Sequence, residues 1–314
     1  MSSDTILFTV ESPAGIERLV ARLSPDADAV PVFPTYDLDK QFRIMKLVGE
    51  RSAVPVPVMR WYEPDPTVLG SPFLVMDHVD GRVPPDMMPY VFGSFLTEAT
   101  PEERAELQRA TVRLLADLHA LPIDASLSFL EYPVSGASPL ARHVEDQRNY
   151  YRWVAGDGIG SPLIERTFEW LVDHWPAESE SRVSWGDSRI GNILYRDFTP
   201  VAVLDWEMVG LAPREVDLGW LVFMHNVFQF SAERAGVAGL PDFLQSADVA
   251  ATYERLSGYE PVDLHWYETY AALRFAIIMF RINRRMVHFG EAAPTADPDD
   301  AIHYRDLLNE MMGE

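Results

Sequence analysis

Asp187, Asn192 and Asp205 are three oxygen-bearing side chains set at intervals around a short apolar hairpin pattern. The stretch Ser184–Tyr195 reads S-W-G-D-S-R-I-G-N-I-L-Y. It is followed by R-D-F-T-P and then by V-A-V-L-D-W-E, which ends at Glu207. The apolar pieces Ile193–Tyr195 and Val201–Leu204 predict a hairpin closed by R-D-F-T-P. A hairpin brings its two ends together, so Asn192 and Asp205 should be neighbours, with Asp187 in a loop that curls over both. Such a group suits phosphoryl transfer, whose transition state spreads negative charge over the moving oxygens and depends on positioning and cations. Magnesium takes one or two carboxylate or amide oxygens together with waters and phosphates, a set that Asn192 and Asp205 can supply. Asp187 would orient an acceptor hydroxyl and take its proton. Arg189 would reach the γ-phosphate and offset its charge. An Asp–Asn pair beside a hairpin is often only turn chemistry. What favours chemistry here is the whole set: the hairpin, an Asp at its far end, and an aromatic residue beside that Asp.

The elements that must position this island fall into two groups. Thr5–Val10 and Glu17–Leu23 read as strands joined by a Ser12-Pro13-Ala14-Gly15 turn. Asp37 is placed to cap a helix with Leu38, Phe42 and Met45 on its apolar face, ending near Gly49. Val54-Pro55-Val56-Pro57 begins an extended segment, and Phe73–Val79 is a further strand ended by Asp80-Gly81. Beyond Pro84 the pattern turns helical. Thr100-Pro101-Glu102-Glu103 starts a helix that runs to His119. Further helices are expected over Leu140–Val154, Pro162–His174, Val216–Phe230, Asp248–Leu256 and His265–Met286, with one β-rich island at Ser181–Trp206 between them. The fold class is therefore α+β. A small strand-rich lobe over residues 1–79 crosses once, near Asp77–Gly81, to a larger helical lobe over 80–314, leaving a cleft for ligands.

Composition narrows the partners. The formal net charge is −22, which disfavours nucleic acid and anionic lipid and is compatible with a cationic substrate. The chain has no cysteine, so disulfides, thiolate nucleophiles and cysteine-bound zinc are excluded. The start, MSSDTILFTV, lacks the basic and long apolar parts of a signal peptide. The apolar run Tyr270–Phe280 is broken by Arg274 and too short to span a bilayer. No membrane partner and a cytoplasmic location are expected, and nothing bears on oligomeric state. His119 reads as a satisfied structural histidine, and Trp153, Trp170 and Trp175 as core. The acids Asp242, Asp248, Glu254, Glu260, Asp263 and Glu268 suit a cationic acceptor or simply a solvated face, whereas Arg274, Arg281, Arg284 and Arg285 suit an anionic acceptor such as a CoA phosphate or simply pair with that acidic surface.

G-D-x-R-x-G-N followed by L-D-W-E resembles the aminoglycoside phosphotransferase and choline kinase family, relatives of the protein kinases. It is also similar to an actinobacterial subgroup provisionally named aminoglycoside phosphotransferases, and to the kinase-like domain fused to some acyl-CoA dehydrogenases. The resemblance covers nearly the whole chain and implies a protein-kinase-like two-lobe fold, ATP and Mg2+, and a small-molecule hydroxyl acceptor. It puts the hinge at Phe73–Val79, where the backbone of Met76, Asp77 and Val79 would hold adenine. It makes Asp217 the buried residue that braces the catalytic loop. Trp185 stands where the family has a supporting His and is expected to replace it. Arg22 stands for the nucleotide Lys, and Gln41 for the Glu that pairs with it. No glycine-rich loop precedes Thr5, so Ser2 and Ser3 are read as its remnant, and the true start is expected to lie upstream. The implied acceptor is an aminoglycoside-like cation. The alternatives are a hydroxyacyl-CoA or another small metabolite, or a pseudokinase that binds nucleotide without turnover.

Overall fold

The computed structural model describes residues 4–13, 15–25, 29–156 and 158–314. Ser2 and Ser3 lie outside the described residues. The first two strands, β1 (Asp4–Ser12) and β2 (Gly15–Leu23), form the expected hairpin, with Asp4 opposite Leu23 and Ser12 opposite Gly15. Helix α1 (Leu38–Arg51) follows, and the Asp37 carboxylate caps it by accepting the Lys40 N–H at 2.8 Å. Its buried residues Leu38, Gln41, Ile44, Met45 and Val48 recur at helical spacing, which makes one face available to the core. Strands β3 (Met59–Glu63) and β4 (Phe73–Asp77) complete an antiparallel sheet in the order β1-β2-β4-β3. Sequence reading missed β3, because M-R-W-Y-E offers no clean alternation; its pairing with β4 carries a register shift between Met59 and Trp61.

The second lobe is built of helices. A short α2 (Phe95–Glu98) leads into α3 (Pro101–His119). Thr100 and Glu103 close a reciprocal capping box at the start of α3, and Pro101 occupies its first turn. Helices α4 (Pro139–Val154) and α5 (Pro162–Asp173) come next. The island between helices is two separate pairs of strands. Strand β5 (Ser181–Ser184) pairs with β8 (Gly210–Pro213), which lies beyond the expected island. Strands β6 (Ile193–Arg196) and β7 (Thr199–Val203) make the predicted hairpin. Its two-residue turn, Asp197-Phe198, has positive φ at both positions, the backbone twist that two-residue hairpins favour.

Helices α6 (Glu215–Arg234), α7 (Ser246–Ser257), α8 (Leu264–His288) and α9 (Arg305–Met312) finish the chain. Helix α6 is buried nearly all round, and α8 packs along it. Gly219 permits this closeness, since a Cβ there would sit 2.6 Å from the Tyr267 backbone. One hydrophobic core runs from α1 (Ile44, Val48) through α3 (Leu107, Leu115) to the hairpin (Ile193, Val203), so it spans both lobes. Among the described residues no helix is long and apolar enough to cross a membrane. Trp153 is 39% exposed and stacks on Tyr150, which corrects the expectation that it is core.

His225, on α6, is 1% exposed; its Nδ1 accepts from the Tyr90 hydroxyl at 2.8 Å while Nε2 faces the Leu240 carbonyl at 3.1 Å. Burial pushes its pKa down to about 4 from 6.5. The unfolded chain therefore binds this proton first, and the contribution to stability is constant above pH 6.5 and declines as pH falls toward 4. Between pH 7 and pH 5 the loss from this group is about 2 kcal/mol. Urea unfolding of wild type and His225→Gln at both pH values should show the variant losing about 2 kcal/mol less. Parallel losses would contradict the buried neutral imidazole.

Candidate active site

The loop from Trp185 to Asn192 hangs on one carboxylate. Asp217, in the first turn of α6 and fully buried, accepts from the Gly186 N–H (2.8 Å) and the Ser184 hydroxyl (2.9 Å) through Oδ1. Through Oδ2 it accepts from the Trp185 N–H (2.8 Å) and His119 Nε2 (3.1 Å). Burial raises the Asp217 pKa, but the bonds from His119, Gly186 and Trp185 outweigh it and hold the carboxyl below its usual range. His119 is satisfied on its other nitrogen by the Tyr253 hydroxyl at 2.8 Å. Gly186 turns the chain with φ +89, and a Cβ there would fall 2.2 Å from the Met208 carbonyl oxygen. Trp185 is fully buried, and its indole N–H donates to the carbonyls of Leu204 and Asp205, both at 3.0 Å.

The hairpin does bring its ends together: the Leu204 N–H donates to the Asn192 carbonyl at 2.9 Å. Asn192 Nδ2 donates to Asp187 Oδ2 at 2.7 Å. Asp187 Oδ1 accepts from the Trp220 indole at 2.8 Å, and Arg189 Nε lies 3.0 and 3.2 Å from its two oxygens. Burial first, then the nearby Asp205 charge, push Asp187 up to about 7, against the hydrogen bonds from Asn192 and Trp220. Asp205 has φ +57, a left-handed conformation that Asp tolerates better than most residues. Glu207 is a third carboxyl in the group. Burial and then the Asp205 charge raise its pKa well above the usual range, and its Oε2 is shut off from solvent without a partner among the described residues.

Two residues come from the other lobe. Arg22 Nη2 lies 3.2 Å from Asp205 Oδ1, with both side chains largely buried, so Arg22 is no loose surface cation. Register places Arg22 opposite Leu74 and Val20 opposite Met76, so Arg22 and Met76 share one face of the sheet. Gln41 is buried on α1. At the hinge the N–H groups of Asp77 and His78 are used by the carbonyls of Val58 and Arg18, and the Asp77 carboxylate holds Arg60. Val79 follows directly.

Sequence reading missed Trp220 and Asp86, which both touch the site. Trp220 sits three residues after Asp217 and therefore on the same face of α6, a signal present in the spacing. Asp86 accepts from Arg189 Nη1, and no local pattern announces it. Beside the loop lies a cavity of about 590 Å³, lined by Lys40, Tyr132, Asp146, Glu207, Met208 and Arg274 among others. Arg274 is 1% exposed, donates to the Gly186 carbonyl at 2.9 Å and stacks on Trp220. Among the described residues its Nε and Nη1 have no hydrogen-bond partner. None of Asp242, Asp248, Glu254, Glu260, Asp263 and Glu268 lines this cavity; Asp242 and Asp248 border a separate groove with Arg104 and Arg255.

The oxygen set fits magnesium. Asn192 spends its amide nitrogen on Asp187 and so offers its oxygen, Asp205 lies at the opposite hairpin end, and Glu207 Oε2 is unpartnered. Among the described residues no group of three or more His, Asp or Glu is arranged to hold an ion unaided. Magnesium, which keeps water and phosphate ligands, needs no such group.

Comparison with known proteins bears on family and fold. The family model described as "Phosphotransferase enzyme family" matches residues 1–259. Human acyl-CoA dehydrogenase family member 11 is 32% identical over 249 residues, covering 78% of this chain and 30% of that protein. The Arabidopsis thaliana protein named "Probable acyl-CoA dehydrogenase IBR3" is 24% identical, over 99% of this chain and 38% of its own length. The chain thus spans about a third of these curated relatives. Among solved structures, a Ralstonia eutropha protein provisionally named an aminoglycoside phosphotransferase superposes with TM-score 0.70 at 23% identity, over 99% of this chain and 91% of that one. The APH(2")-IIa complex with gentamicin superposes at 0.58 with 13% identity, over 95% and 90% of the two chains. Likeness at these identities establishes the protein-kinase-like fold.

Asp217→Asn would set an amide N–H against groups that already donate. It should lower unfolding stability by about 3 kcal/mol, the scale for breaking a buried charged network. Urea unfolding at pH 7 measures this, and a loss under about 1 kcal/mol would mean that the loop does not depend on the carboxylate.

Proposed function

The chain belongs to the phosphotransferase enzyme family, and on that premise we propose that it transfers the γ-phosphate of ATP to a hydroxyl of a small molecule held in the cavity beside Arg274. The observation that carries this reading is the meeting of Asp187, Asn192 and Asp205 at one end of the hairpin, on a loop suspended from Asp217. In this account adenine lies against Met76 and the backbone of Asp77 and Val79. Arg22 takes the phosphates, as would Ser2 and Ser3. Asn192 and Asp205 would hold magnesium, which would supply neutralisation of phosphate charge when bound. Asp187 aligns the acceptor hydroxyl and accepts its proton. The acceptor oxygen bonds to the γ-phosphorus as the bridging bond to the β-phosphate breaks, and ADP leaves. Arg189 offsets charge on the moving group. Residues 1–79 would form the nucleotide lobe and 80–314 the catalytic lobe, in a cytoplasmic protein.

Two acceptor classes suit different walls of the cavity. Asp37, Glu131 and Asp146 favour an aminoglycoside-like cation. Arg274, buried with two unpartnered N–H groups, favours a hydroxyacyl-CoA or similar acid derivative, in line with the names of the curated relatives. Magnesium-dependent ATP consumption over aminoglycosides, choline-like amines and hydroxyacyl-CoAs separates them.

Asp187→Asn should lower turnover by at least 10³-fold while nucleotide affinity stays within about threefold, as expected for loss of a base. Retained turnover would sink the assignment. Asp205→Ala should instead weaken magnesium–ATP binding about tenfold or more in a calorimetric titration. Unchanged affinity would count against its metal role.

A further inference from the structure

Asp86 lies 103 residues before Arg189 in sequence, in the turn that follows the crossover between lobes, yet its carboxylate accepts from Arg189 Nη1. Three features build this contact. Gly191 leaves room for it: a Cβ there would fall 2.4 Å from Asp86 Oδ1 and 2.7 Å from Oδ2. Gly191 has no positive φ, so closeness of the carboxylate, not backbone freedom, is what calls for glycine. The turn is also pinned on both sides. Arg82 and Tyr195 exchange N–H···O bonds of 2.9 and 2.8 Å, and Tyr90 donates through its N–H to Pro85 (2.8 Å) and through its hydroxyl to His225. Finally, Asp86 Oδ1 is closed off from solvent with no partner among the described residues, a cost the structure accepts while Oδ2 meets Arg189.

Arg189 is consequently gripped at two edges, by Asp187 at Nε and by Asp86 at Nη1. A guanidinium is planar, so two grips fix both its position and its plane. We propose that Asp86 is a positioning residue: it fixes Arg189 against Asp187, so that Arg189 orients the base and turns its remaining edge to the moving phosphoryl group. The inference rests on the phosphotransfer reading given above. Asp86 itself touches neither nucleotide nor acceptor in this account.

Two independent variants test it. Asp86→Asn removes the charge, whereas Gly191→Ala keeps Asp86 and pushes its carboxylate aside. The assay is magnesium-dependent ADP release from ATP with water as acceptor. Both variants should lower kcat at least tenfold with the ATP KM within threefold of wild type. The double variant should be no more than twofold below the worse single one, because both remove the same contact. Adding Asp86→Asn to Arg189→Lys should cost nothing further. A second readout needs no turnover: urea-unfolding midpoints of Asp86→Asn, Arg189→Lys and their combination should be non-additive. Additive midpoints, or a kcat within threefold of wild type in either variant, overturn the inference. Wild-type protein that binds magnesium–ATP yet releases no ADP with water or with any hydroxylated acceptor overturns the phosphotransfer reading instead.

Discussion

Like charges crowded in a poorly solvated place set the terms for this structure. Asp187, Asp205 and Glu207 lie close together; the Asp205 charge raises the cost of ionising Asp187, and Asp205 and Asp187 raise that of Glu207. Nearby cations and donors make the arrangement tolerable. Arg22 reaches across from β2 to Asp205, Arg189 lies along Asp187, and Asn192 and Trp220 donate to the same carboxylate. A divalent cation bearing phosphates would ease the crowding of these oxygens further.

Holding such a group requires a frame that does not yield. Asp217 gives four donors one acceptor, and His119 and Tyr253 extend that network into α3 and α7. Close packing of α6 on α8 at Gly219 places Asp217 and Trp220 on the loop side. The Trp185 indole then ties the loop to the far end of the hairpin, so Asp187 and Asp205 are positioned by one connected scaffold. Fully satisfied buried polar networks of this sort rigidify the groups they hold.

Much of this was legible in the chain itself. The α3 capping box, the Asp37 cap and the β6–β7 hairpin are local chemistry, written within a few residues of one another. The neighbourhood of Asn192 and Asp205 followed from hairpin closure alone. The expectation for Asp217 came by resemblance, and four hydrogen bonds converge on its carboxylate. What escaped was non-local. Strands β5 and β8 have four residues each and find one another across the hairpin. Arg22 meets Asp205 from 183 residues away and Asp86 meets Arg189 from 103. Pairings of that kind depend on the finished packing and leave no period or spacing to read.

The central claim is that the Asp187–Asn192–Asp205 group moves a phosphoryl group from ATP to a hydroxyl. Phosphorus NMR of the protein with magnesium–ATP and a hydroxylated acceptor panel tests it most directly. The account predicts growth of ADP resonances with a new phosphomonoester signal for at least one acceptor, both absent with Asp187→Asn. ATP that stays intact with every acceptor while bound to the wild-type protein, or a phosphomonoester that Asp187→Asn forms equally well, would contradict it.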